Sequence, residues 1–166
     1  MKNLIALFIL ILFVAEINAQ TDWDVYYKNK YGLEQKSGEL RQNYYNGYDI
    51  YQNNNWGLQE KTGSTRENYY GGYDYYNKNN WGLEEKTGHS QETYDGYNIY
   101  NKNNWGLEEK SGSLKESYYG YDLYEKNKWG LEEKTGSYKF NSNGDIDVYQ
   151  KNKWGLEEKI GTIKKK

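Results

Sequence analysis

Hydrophobic positions fall into two unlike regimes along this chain. Leu4 to Val14 is one unbroken apolar run, preceded by Lys2 and followed by Ala15-Glu16-Ile17-Asn18-Ala19. Beyond it, apolar and polar residues alternate in short stretches punctuated by Gly and Asn. The first regime has the layout of a secretory signal, a positive start, an apolar core and a small residue before the cleavage point. At 11 residues it falls well short of the ~20 that a spanning helix needs. Residues 1–19 are therefore expected to be a signal peptide, and 20–166 a single repeat domain in a secreted, periplasmic or cell-surface protein. The second regime has the period of two that marks half-buried β-strands.

The alternation recurs with a longer period. Gly32, Gly57, Gly82, Gly106, Gly130 and Gly155 are spaced 25, 25, 24, 24 and 25 residues apart, which gives six units of about 25 residues. Each marker is preceded by an aromatic, Tyr31 in the first unit and Trp56, Trp81, Trp105, Trp129 and Trp154 in the others, and each is followed by Leu. Asn always lies three residues before the marker and Tyr six before it. Lys lies four after it, and a second Gly six after it. Glycines at fixed offsets read as turns, bulges or close backbone approaches, not as a flexible linker.

Within a unit two strands meet at the Asn-rich stretch. A three-residue turn at Asn53-Asn54-Asn55 would put Ile50 opposite Leu58 and Tyr51 opposite Gly57. Tyr48, Ile50, Trp56 and Leu58 would then share a core face, with Asp49, Gln59 and Lys61 on the polar one. A second turn is expected at Asn141-Ser142-Asn143-Gly144, between Tyr138-Lys139-Phe140 and Asp145-Ile146-Asp147-Val148. Each unit is two or three strands, depending on whether Lys-Thr-Gly is a turn or a bulge. A lone hairpin is marginal in water, so units must pack side by side. The expected fold is all-β, tandem β-hairpin repeats forming an elongated meander or solenoid, with Lys164-Lys165-Lys166 guarding its last edge.

The stretch Lys128-Trp129-Gly130-Leu131 to Lys134-Thr135-Gly136, with its five counterparts, resembles the core of the WG-containing β-repeat family. The resemblance covers about eight residues of every unit. MORN-type Tyr/Gly hairpin repeats are a second, weaker likeness. Membership of the first family would imply a β-hairpin array that serves as an interaction module without a catalytic site.

Composition bears on what holds such an array together. After Ala19 the chain has 17 residues of Leu, Ile, Val or Phe, against 21 Tyr and 6 Trp. Aromatic rings bury about 150–250 Å² each and substitute for the missing aliphatic area. There is no Cys, hence no disulfide and no thiolate chemistry, and no Pro. A net charge of −2 gives no electrostatic case for nucleic acid. Among candidate chemistry, His89 is the only histidine. The pairs Glu84-Glu85, Glu108-Glu109, Glu132-Glu133 and Glu157-Glu158 are split between opposite faces of a strand. No enzyme activity, cofactor or metal is expected.

Binding or assembly remains. The ladder Tyr26, Tyr51, Tyr76, Tyr100, Tyr124 and Tyr149 is expected on the polar face beside Asp and Lys, a setting suited to stacking on a sugar or a peptide. The expected partner is a protein or carbohydrate ligand. Self-association into a structural or fibre component is the alternative, and no membrane span is expected.

Overall fold

The computed structural model describes residues 21–54 and 56–166, so the expected signal peptide lies outside the described residues. Twelve strands follow in order: β1 (Trp23–Lys28), β2 (Glu34–Gln42), β3 (Tyr48–Asn53), β4 (Gln59–Glu67), β5 (Tyr73–Lys78), β6 (Glu84–Thr93), β7 (Gly96–Lys102), β8 (Glu108–Ser117), β9 (Gly120–Lys126), β10 (Glu132–Phe140), β11 (Ile146–Lys151) and β12 (Glu157–Lys165). Each unit supplies two strands. The Lys-Thr-Gly step is a β-bulge: Tyr51 pairs with Lys61 and Ile50 with Gly63, leaving Thr62 extra, and the same shift recurs in every hairpin of this type.

The array is neither an open meander nor a solenoid. It is a closed antiparallel barrel in which β1 pairs with β12. The closing register, Val25↔Ile163, repeats the unit-to-unit register Leu40↔Ile50 and Thr65↔Tyr75. Coiling one unit onto the next therefore leads back to the start after six. Closure pairs both strand edges. The terminal lysines guard none: Lys164 lies over Tyr26 and Lys166 pairs with Glu39.

The aromatic-Gly turns occupy one end, here the Trp end, and the five loops between units, with the chain termini, occupy the Tyr end. At the Trp end the turn has the expected three residues but is centred two residues later than expected. In the fourth unit Gly106 N donates to Asn103 O (2.9 Å) and Asn103 N to Leu107 O (2.8 Å), with Gly106 at φ +75°. This is a type I turn closed by a left-handed residue, a position that glycine takes without steric cost. Asn103 holds it: Oδ1 accepts from Trp105 N and Leu107 N, and Nδ2 donates to Glu109 (2.6 Å).

The displaced turn overturns the expected placement of Trp and Leu. Both ride on the turn and face water, Trp105 at 88% exposure and Leu107 at 64%. The core is instead built from inward residues nearer the Tyr end. Trp23, Leu40, Tyr48, Ile50, Tyr75 and Ile146 are buried, as are Tyr97, Tyr121 and Tyr138.

Following paired residues around the inner face gives diagonal rows that change character along the barrel. One runs Thr65, Tyr75, Gly88, Asn101, Glu109, and another Leu114, Leu123, Gly136, Gln150, Glu158. Each passes from an apolar or small buried residue, through a glycine where the next strand's carbonyl comes close, to an amide and a carboxylate. The interior is apolar toward the Tyr end and polar toward the Trp end.

At the Tyr end, loop length explains the repeat spacing. Asn43–Gly47, Asn68–Gly72 and Asn141–Asp145 carry three-residue loops with Asn46, Gly71 and Gly144 left-handed. The units with a spacing of 24 carry two-residue loops instead, Tyr94-Asp95 and Tyr118-Tyr119.

Candidate functional site

The Tyr ladder lies on the outer face, as the alternation expects, and every ring is half-buried. Each is covered by a cationic or imidazole group from an adjacent strand. Arg41 lies 4.2 Å from the Tyr51 centroid, Arg66 4.2 Å from Tyr76 and Lys139 4.4 Å from Tyr149. Lys164 lies 4.6 Å from Tyr26 and Lys115 5.1 Å from Tyr124. In the fourth unit Gln91 stands where the others have Lys or Arg, and His89 stacks on Tyr100 at 4.7 Å. These are cation–π and stacking contacts that use ring faces a ligand would otherwise take.

Around the same face runs a belt of ion pairs. Lys61 bridges Asp49 (3.0 Å) and Glu84 (2.9 Å), and Lys134 bridges Asp122 (2.8 Å) and Glu157 (2.9 Å). Partial burial disfavours these charges, yet hydrogen bonds to their partners outweigh it, raising the Lys61 and Lys134 pKa values and lowering those of Glu84 and Glu157. Gln59 breaks the series, and Glu39, in place of the usual Ser or Thr, restores a carboxylate near Lys36. Burial pushes Glu39 up, but hydrogen bonds from Arg41, Lys166 and Gln59 hold it at about 2. A charged outer belt over an apolar interior is the reverse of a lipid-facing barrel, whose apolar band points outward.

The Glu-Glu pairs are split as expected. Glu84, Glu132 and Glu157 join the outer belt, whereas Glu85, Glu133 and Glu158 face the mouth of the lumen and accept from turn asparagines. His89 sits 3.3 Å from Glu108. Among the described residues no three His, Cys, Asp or Glu side chains converge to hold a metal, and no helix is long and apolar enough to cross a membrane.

What the sequence reading missed are two crowns of exposed rings. At the Trp end, Tyr31, Trp56, Trp81, Trp105, Trp129 and Trp154 ring the mouth, each at least 75% exposed and each followed by an exposed Leu. At the Tyr end, Tyr44, Tyr69, Tyr94 and Tyr118 project from the loops. Six aromatic-Gly-Leu steps, five of them with Trp, gather exposed apolar side chains around one mouth, and clustered exposed apolar surface marks interaction sites. The signal was present in the chain: Asn-x-aromatic-Gly is a turn with its aromatic at the tip. Comparison with protein-family models, curated proteins and solved structures gives no match.

Proposed function

We propose that this is a secreted, non-catalytic binding protein of the WG-repeat type that engages a glycan or protein through aromatic surfaces, with the Trp crown as its principal contact. The observation that carries the reading is the crown itself. Burial would stabilise each Trp, yet the fold holds all five of them in water on turns fixed by three Asn hydrogen bonds apiece. Rigid, preorganised rings lose little entropy on binding. They stand beside Asn, Glu and Lys side chains that would hydrogen-bond hydroxyl groups, and a sixfold array suits a repeating ligand such as a polysaccharide. The ladder tyrosines, already covered by cations, support the wall behind the crown.

Self-association is the second reading. Closure leaves no strand edge for fibre growth, so crown-to-crown contact is its route, favoured by exposed rings at both ends. Trp fluorescence titrated with soluble polysaccharides, with light scattering read on the same samples, separates the two. A saturable change with steady scattering, lost on replacing Trp81, Trp105 and Trp129 by Ala, supports glycan binding. Scattering that grows with protein concentration alone supports self-association. An amino terminus at Gln20 on exported protein would establish secretion.

A further inference from the structure

The six units do not fill the lumen equally. On the β1–β6 side the inward positions include two large rings, Tyr27 and Tyr75; burial pushes the Tyr27 phenol up to about 12. On the β7–β12 side the corresponding positions hold Asn101, Glu125 and Gln150 in one layer and Ile99, Leu123 and Val148 in the next. The smaller side chains leave a cavity of about 720 Å³ that reaches the Trp-end mouth beside Asn152 and Gly155. That volume lies within the ~300–1,000 Å³ of small-molecule sites.

Three departures from the repeat meet in this cavity. Glu125 stands where other units have Gln, Asn or Tyr, and it is paired directly across from Glu133, both on the lumen face. Like charges directly opposite destabilise a sheet. Neither carboxylate is in an ion pair among the described residues, and Glu133 accepts only the Asn127 amide. Thr135 is the second departure. The bulge hydroxyls of Ser37, Thr62, Thr87 and Ser111 donate to a neighbouring carbonyl, whereas that of Thr135 is buried in the cavity wall without a partner. Third, Ile160 replaces the bulge hydroxyl altogether and adds to an apolar floor.

We propose that this cavity binds a small organic ammonium ion. Its charge would sit between Glu125 and Glu133, and its apolar body would lie against Leu123, Val148 and Ile160. The site is distinct from the crown and does not depend on it. A repetitive scaffold acquires one unique pocket where its repeats differ.

The test is calorimetric titration of the protein with 2-phenylethylammonium, its uncharged analogue 3-phenylpropanol and the anion 3-phenylpropanoate. Saturable binding of the ammonium ion alone is expected. Glu125→Gln, the residue already present at positions 52 and 150, should weaken it roughly tenfold or more, as loss of one charge-assisted contact does, with the thermal melt kept. Leu123→Tyr, which fills the space as Tyr75 does opposite, should abolish binding, and Trp105→Ala should leave it unchanged. No binding of the ammonium ion, equal binding of the alcohol, or unchanged affinity in Glu125→Gln would overturn the proposal. Should Leu123→Tyr fail to fold, Glu125→Gln decides.

Discussion

At the Tyr end, the loop carbonyls of Tyr45, Tyr70, Asp95 and Tyr119 accept hydrogen bonds from the backbone of the next hairpin. Gly47, Gly72, Gly96 and Gly120 pack there so closely that an added Cβ would sit 2.1–2.4 Å from a neighbouring carbonyl oxygen. At the Trp end, the described backbone bonds of the turns stay within their own hairpin, and the six marker glycines have open space around them. Similar three-residue loops thus serve opposite purposes. One end locks units together over an apolar plug, and the other leaves each turn free-standing around a polar mouth. Stability resides at the first, and the proposed recognition surface lies at the second.

The sharpest way to break that contrast is to truncate one Trp at each end. Trp23→Ala removes a ring with no exposed surface and should cost about 3–5 kcal/mol. Trp105→Ala removes one that is 88% exposed and should change stability by less than about 0.5 kcal/mol. Urea unfolding of both variants reads the difference, and equal losses would refute the division of labour.

A second comparison sets two glycines of one hairpin against each other. A Cβ on Gly88 would meet Tyr100 O at 2.2 Å, backbone that cannot move aside, so Gly88→Ala should cost roughly 2–3 kcal/mol. Gly82→Ala meets open space and only the left-handed penalty, about 1–2 kcal/mol. The same unfolding curves rank the two.

Acid acts on the outer belt near the Tyr end. The Glu39 carboxyl is held at about 2, below its ordinary value of 4.5. Its contribution, on the order of 2 kcal/mol, is complete above pH 4.5 and is lost as pH falls toward 2. Glu39→Gln should therefore flatten the decline in urea midpoint between pH 5 and 2 relative to the parent protein. An unchanged pH profile would refute the assignment.

A stability effect smaller than that of Glu39 is expected at a Trp-end turn. Asn103→Ala leaves three hydrogen bonds unmade, but water replaces them at this exposed site, so the cost should be about 1 kcal/mol. Crown binding should suffer more than stability, because the Trp105 turn loses its fixed geometry.

The repeats, the two faces of each strand and the outward position of the ladder were legible in the chain, because a period of two assigns faces without knowledge of partners. Asp49, Tyr51 and Lys61 do share the outer face, and Tyr48 and Ile50 the inner. Turn position was harder to read. The run Gln52 to Asn55 offers several loops of equal length, and the choice depends on which residue turns left-handed. Gly57 takes that role, so the turn moves two residues on and carries Trp56 and Leu58 out of the core. Hydrophobicity alone sends them inward. Closure was not legible, because it depends on the coiling that bulges at Thr62 and its counterparts add per unit. The cavity emerged only from the structure, where neighbouring strands β9 to β12 carry Glu125, Thr135 and Ile160 into one lining.

The most direct test of a free-standing aromatic crown is iodide quenching of Trp fluorescence in the Trp23→Phe protein, whose remaining five indoles all lie on Trp-end turns. The expected result is red-shifted emission, uniformly accessible to iodide, that becomes protected when a bound polysaccharide covers the crown. Blue-shifted emission that iodide does not reach would place those rings inside the protein and contradict both the turn register and the binding surface built on it.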